Sequence, residues 1–242
     1  MPDASSPLWQ QRTALLLGPD RMARLAAAHV LVVGTGGVGA YAAEMLVRAG
    51  VGALTLVDAD SVAPTNLNRQ LPALRSTLGR PKVEVLAERF RDINPDVRLT
   101  LLARYVEPDG VAPLLDAARP SFVVDAIDSV GPKVALLAEA LRRGLPVVSS
   151  MGAGAKTDIT QVQFADVWKT YHCGLSKAVR HGLARAGLRG RRLPVVFCSQ
   201  QADRAAVVGV EGEPGKKTTT GTVAYMPAVF GCYLAQYVLM HL

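Results

Sequence analysis

A glycine turn, Gly34-Thr35-Gly36-Gly37-Val38-Gly39, is followed along the chain by Asp58, Asn66, Arg69, Lys82 and Asp128. The apolar run His29–Val33 leads into the turn and a helix-periodic stretch leaves it. That context makes a GxGxxG match, weak by itself, a strong one. Glycines there let the backbone approach a phosphate, and the helix N-terminus behind them supplies N–H donors and partial positive charge. An acid about 20 residues on accepts hydrogen bonds from ribose hydroxyls. Asp58, ending the second apolar run, stands in that place. Gly34, Gly36, Gly37, Gly39 and Asp58 therefore read as a nucleotide-binding set.

A dinucleotide needs no more than this. Two cations and a late carboxylate suit ATP cleaved with Mg2+. Arg69 lies in the polar loop Thr65-Asn66-Leu67-Asn68-Arg69-Gln70, and a guanidinium grips phosphate bidentately. Lys82 opens a helix at Arg80-Pro81-Lys82, where the macrodipole favours an acid by up to about 1 kcal/mol. That misfit points to a ligand, the alternative being a solvated surface lysine. Asp128 lies just beyond the run Phe122-Val123-Val124-Asp125. Mg2+ takes one or two carboxylates together with phosphate oxygens and water, so Asp128 reads as its ligand. Ser129 beside it reads either as a nucleotide contact or as a helix cap, and Asp125 as a buried strand-end residue. The set implies a carboxylate being activated with ATP.

Apolar runs alternate with helix-periodic stretches, the βαβ signature of a mostly parallel sheet. Strands are expected at His29–Gly34, Ala53–Asp58, Val97–Ala103, Ser121–Ala126 and Pro146–Ser150. Helices are expected at Gly37–Ala49, Pro81–Ile93, Pro108–Ala118 and Pro132–Arg143, with the prolines in first turns, where no N–H is needed. Right-handed crossovers then place Gly34, Asp58 and Asp128 along one sheet edge, where ligands of open α/β sheets bind. The fold class is Rossmann-like α/β with helices on both faces. Ile159–Val167 and Leu193–Ser199 extend it as strands, Lys177–Ala186 as a basic helix, and a final apolar helix closes it. Val210–Thr222 has no periodicity and reads as a loop. Its Gly215-Lys216-Lys217 is no phosphate loop, because Val210 replaces the first glycine and Lys217 the Ser or Thr.

At 242 residues, half apolar and 19% charged, the chain is expected to form one domain. Residues 1–150 would be its nucleotide-binding half and 151–242 its substrate- and dimer-facing half. A net charge of +7 favours a polyanionic partner, without deciding the matter. Three cysteines, Cys173, Cys198 and Cys232, form no Cys-x-x-Cys pair, which excludes a four-cysteine zinc site and a disulfide framework. The start MPDASSPLWQ has no secretory pattern, and cytoplasm is the expected compartment. Gly221–Leu242 carries no formal charge with His241 neutral. Pro227, Gly231 and Gln236 interrupt it, so a packed helix is preferred to a membrane-associated tail.

Together GTGGVG, Asp58-Ala59-Asp60, TNLNRQ, GRPK and DAIDS resemble the ubiquitin-activating-enzyme-like adenylyltransferases, over about Arg12 to Ser150. The resemblance implies that Gly37, Asp58, Asn66, Arg69, Lys82 and Asp128 hold ATP and Mg2+ while a carboxylate attacks the α-phosphate. It also implies a homodimer in which Arg12 reaches the partner's site. The sulfur-carrier branch usually has two Cys-x-x-Cys pairs, absent here. Ser150-Met151-Gly152-Ala153-Gly154-Ala155, Lys169-Thr170 and Gly221-Thr222-Val223 resemble the tRNA threonylcarbamoyladenosine dehydratase branch instead. That branch implies tRNA as substrate, with no DNA partner, and dehydration of threonylcarbamoyladenosine next to the anticodon. Lys177, Arg180, His181, Arg185, Arg189, Arg191 and Arg192 would then form a track for the RNA backbone. The alternatives are a ubiquitin-like sulfur-carrier protein as substrate, with Cys173 as nucleophile, and a nicotinamide-dependent oxidoreductase. The latter leaves Arg69, Lys82 and Asp128 without a role.

Overall fold

The computed structural model describes residues 7–209 and 218–242. Its elements in order are α1 (Gln11–Leu17), α2 (Pro19–Ala27), β1 (His29–Val33), α3 (Gly39–Arg48), β2 (Ala53–Val57), α4 (Lys82–Ile93) and β3 (Arg98–Leu102). Next come α5 (Val111–Ala118), β4 (Phe122–Asp125), α6 (Val130–Arg142), β5 (Val147–Ser150), β6 (Val162–Asp166) and α7 (Gly174–Arg185). The chain ends with β7 (Pro194–Cys198), β8 (Val207–Gly209), β9 (Thr218–Thr220) and α8 (Tyr225–His241).

Seven strands form one sheet in the order β3-β2-β1-β4-β5-β7-β6. All neighbours are parallel except β6, which runs antiparallel to β7. The central strands are continuous apolar runs because helices cover both faces. Alternate residues sort between the two sides. Val30, Val32, Leu54, Leu56 and Val124 join the core under α3, α4 and α8, while Leu31, Val33, Val123 and Val195 join that under α5, α6 and α7.

The apolar C-terminal segment packs as α8 against α3 and the sheet. Gly231 permits the approach, since a Cβ there would lie 2.5 Å from the Val38 carbonyl oxygen. Among the described residues no helix is long and apolar enough to cross a membrane.

Three expectations shift. Ile159–Gln161, expected within a strand, forms a 3-10 turn capped by Asp158, so β6 starts at Val162. The basic helix begins earlier, at Gly174, with Cys173 as its N-cap. Thr218–Thr220, expected in a loop, pairs with Val207–Gly209, as suits β-branched residues. Residues 210–217 of that expected loop, with their Gly-Lys-Lys sequence, lie outside the described residues.

Candidate functional site

Three strand ends meet at the carboxyl edge of the sheet. Gly34 N–H donates to the Val57 carbonyl at 2.8 Å and Ala126 N–H to the Val33 carbonyl at 2.9 Å. These bonds bring the exits of β1, β2 and β4 side by side. A Cβ on Gly34, whose φ is 87°, would lie 2.7 Å from the Ala126 oxygen; one on Gly39 would lie 1.8 Å from the Gly34 oxygen. Glycine is therefore dictated by space at both positions. Gly36 faces the loop after β2, where a Cβ would meet the Gln70 side chain at 3.6 Å; a Cβ on Gly37 would lie 3.1 Å from Pro227 of α8 and 3.5 Å from the Arg69 carbonyl oxygen.

Asp58 is half-buried and already engaged. Its Oδ2 accepts from the Thr35 N–H at 2.6 Å and hydroxyl at 3.0 Å, and its Oδ1 from the Asp60 N–H at 2.9 Å. The expected ribose acceptor thus also fixes the glycine turn. A carboxylate has about four acceptor sites, so capacity for a ribose hydroxyl remains.

Lys82 is buried and its Nζ meets Asp60 Oδ2 at 2.6 Å. Asp60, whose N–H donates to Asp58, thereby links the glycine turn to the first residue of α4. Asn66 is buried, its Oδ1 accepting from the Ala63 N–H at 3.0 Å, which shapes the loop carrying Arg69. Arg69 Nη1 donates to the Thr65 carbonyl and to Asn68 Oδ1, both at 2.9 Å. Among the described residues Arg69 has no carboxylate partner.

Asp128 is exposed, two residues beyond the Ala126 that abuts Gly34. Ser129 is the N-cap residue of α6, but its hydroxyl makes no capping bond and lies 3.4 Å from the Tyr105 hydroxyl. Asp125 is fully buried. The loop of Arg69 thus borders the glycine turn through a backbone oxygen, Lys82 is linked to it through Asp60 and Asp58, and Asp128 follows two residues after the Ala126 that abuts it.

Two expected groups do not join them. Arg12 is exposed on α1, and the preceding Gln10 lies against Gly50, ahead of β2 and at the opposite sheet edge. Of the basic track, Lys177, Arg185, Arg189, Arg191 and Arg192 are exposed. Arg180 is a correction. Its Nη1 donates to the Thr170 carbonyl at 2.9 Å and the Val167 carbonyl at 3.3 Å, and also bonds the Thr170 hydroxyl. That guanidinium holds the loop before α7 rather than facing outward.

Two buried cations escaped the sequence reading. Lys133 is fully buried against Asp125. Lys156 bonds the carbonyls of Cys198 and His172, and burial pulls its ammonium below the ordinary lysine range. Both stand among apolar or small residues, and only Lys133 carried a signal: a cation in a helix's first turn, the misfit also seen at Lys82.

The residues fit a nucleoside triphosphate. The cradle is one that Cβ atoms would fill. Beside it, Gln70 Oε1 is a buried side-chain atom with no partner among the described residues. Among the described residues no three His, Cys, Asp or Glu side chains cluster to hold a metal ion. A cation here would rest on one carboxylate and on phosphate oxygens, a set that suits Mg2+.

The chain is 48% identical over 181 residues to the tRNA threonylcarbamoyladenosine dehydratase of Escherichia coli (strain K12), covering 74% of this chain and 67% of that protein. It is 37% identical over 238 residues to the enzyme of the same name from Bacillus subtilis (strain 168), covering 96% and 93%. The crystal structure of the E. coli dehydratase in complex with ATP superposes with a TM-score of 0.87 at 39% identity, covering 98% of this chain and 95% of that one. The ThiF family model matches residues 10–242, and the chain belongs to the ThiF family.

Proposed function

We propose that this chain catalyses the ATP-dependent dehydration of threonylcarbamoyladenosine in tRNA, next to the anticodon. The carrying observation is the convergence of Arg69, Lys82 and the Asp128 turn on one glycine cradle, in a chain similar along nearly its full length to dehydratases of that name. The threonyl carboxylate attacks the α-phosphate of ATP, forming an acyl adenylate and releasing pyrophosphate. A nitrogen of the same modification then attacks the acyl carbon, and AMP leaves with one carboxylate oxygen. The net change is closure of a ring with loss of water.

Ring closure is intramolecular, so high effective concentration replaces an enzyme nucleophile. Arg69 and Lys82 supply positive charge where it builds on the phosphates. Asp128 would hold Mg2+, which supplies further charge neutralisation when bound.

We further propose that residues 1–242 act as one domain in a cytoplasmic homodimer. In support, β6 and β7 complete the sheet that β1–β5 begin. Leu8, Leu15 and Leu16 are 84%, 68% and 83% exposed, at helical spacing from Arg12. A second copy would cover that face and bring Arg12 to the partner's site. The exposed cations Lys177, Arg185, Arg189, Arg191 and Arg192 would form a track for an RNA backbone. The carrier-protein alternative has Cys173, half-exposed at the start of α7, and a Cys173→Ser variant with undiminished turnover would remove it.

The test is nucleoside mass analysis of tRNA bearing the modification, incubated with the protein, ATP and Mg2+. The proposal requires the mass of one water to be lost, and only with ATP present. An unchanged nucleoside would reject it.

A further inference from the structure

The turn that presents Asp128 rests on a fully buried ion pair that the proposed reaction does not touch. Lys133 Nζ and Asp125 Oδ2 meet at 2.7 Å, and neither side chain has exposed surface. Lys133 also donates to the Ile127 carbonyl at 2.9 Å, and Asp125 Oδ1 accepts the Ile127 N–H at 3.1 Å. The Ser149 hydroxyl completes the cluster, donating to Asp125 Oδ2 at 2.5 Å. Ile127 is thus gripped at both its amide and its carbonyl, one residue before Asp128. Ala126 is held in turn by the Val33 carbonyl and by its contact with Gly34.

Packing alone is a poor reason for this arrangement. Withdrawing two charges from water costs several kcal/mol each, and well-packed apolar replacements are often neutral or stabilising. Lys133 also stands in the first turn of α6, where the macrodipole opposes a cation. Meanwhile the Asp128 side chain has no hydrogen-bond or ion-pair partner among the described residues, so only its backbone aims it.

We infer that Lys133 and Asp125 are positioning residues that fix the Ala126–Ser129 turn and so aim Asp128 at the phosphates and their Mg2+. The inference rests on the reading of Asp128 proposed above. It concerns how the carboxylate is held, and assigns neither residue a contact with substrate.

A double variant, Asp125→Asn with Lys133→Gln, neutralises the pair at similar volume. In the nucleotide-free protein, amide exchange across residues 126–129 is expected to quicken about tenfold while the flanking strands keep their protection. ATP affinity by calorimetry at limiting Mg2+ is expected to fall about tenfold and to recover with excess Mg2+. Affinity for tRNA should not change. Ser149→Ala removes one support without uncovering a charge, and should move exchange and affinity in the same direction by a smaller factor. Unchanged exchange and Mg2+-dependent affinity in the folded double variant would overturn the inference. Should the double variant fail to fold, the same null result in Ser149→Ala would overturn it. Asp128→Asn, run in parallel, separates two failures. If it binds ATP and turns over normally, the reading of Asp128 falls, and the inference with it. If it is impaired while the pair and Ser149 variants are unaffected, the inference alone falls.

Discussion

Lys82 Nζ lies 2.6 Å from Asp60 Oδ2, joining a lysine side chain that is 4% exposed to an aspartate side chain that is 70% exposed. Removing the lysine leaves a carboxylate that water can solvate, so the fold has little to lose. Lys82→Ala is accordingly expected to melt close to wild type while ATP-dependent turnover drops by about two to three orders of magnitude. Arg69→Ala should behave alike, because its internal bonds reach only neutral groups of its own loop. Thermal melts beside turnover measurements check both.

The glycine turn separates space from chemistry. At Gly39 an added methyl meets backbone oxygen at 1.8 Å, while at Gly36 it meets the end of a side chain at 3.6 Å. Gly39→Ala is expected to cost at least about 3 kcal/mol or to prevent folding. Gly36→Ala should fold normally but bind ATP more weakly, since its methyl enters the cradle. Chemical denaturation and calorimetry distinguish the two.

Acid stability should depend on Glu44, buried on α3 between Arg48 and Arg89. Burial by itself would raise its carboxyl, but hydrogen bonds from Arg89 and Arg48 hold it below the ordinary 4.5. A carboxyl lowered in the folded state stabilises above its unfolded pKa, and that contribution is lost as pH falls through the folded value. The wild-type melting temperature should therefore fall steeply below about pH 4.5. Glu44→Gln should start lower at neutral pH and fall less steeply across the same window.

If Arg12 serves the partner's site, two defective chains can repair one another. Arg12→Ala and Lys82→Ala homodimers should each be nearly inactive. Mixing and re-equilibrating them should restore about a quarter of wild-type activity, because half the dimers are mixed and each holds one intact site. Leu15→Asp should give a monomer on size-exclusion chromatography and abolish that recovery. No recovery from a confirmed mixed dimer would mean that Arg12 does not serve the partner's site, and a fully active Arg12→Ala homodimer would place it outside the site.

Much of this was legible because parallel strands buried on both faces are written as apolar runs. Five such runs fixed the sheet edge and so gathered Gly34, Asp58 and Asp128. What the sequence did not disclose are partners made by long-range closure. Nothing local says that Asp58 spends both oxygens on Thr35 and Asp60, or that Arg180 turns inward to Thr170. In sequence Arg180 differs little from the exposed Arg185. Helical spacing identifies a shared face but not what the fold lays against it. The Lys133–Asp125 pair was hidden similarly, its two members eight residues apart and separated by the very turn they hold.

A carboxylate activated at this cradle by transfer of an adenylyl group must give one of its oxygens to AMP. The most direct measurement uses tRNA whose threonyl carboxylate carries heavy oxygen, with the released AMP analysed by mass spectrometry. Adenylation predicts one heavy oxygen in AMP for each ring closed, and none with Lys82→Ala. Ring closure that leaves AMP unlabelled would contradict it.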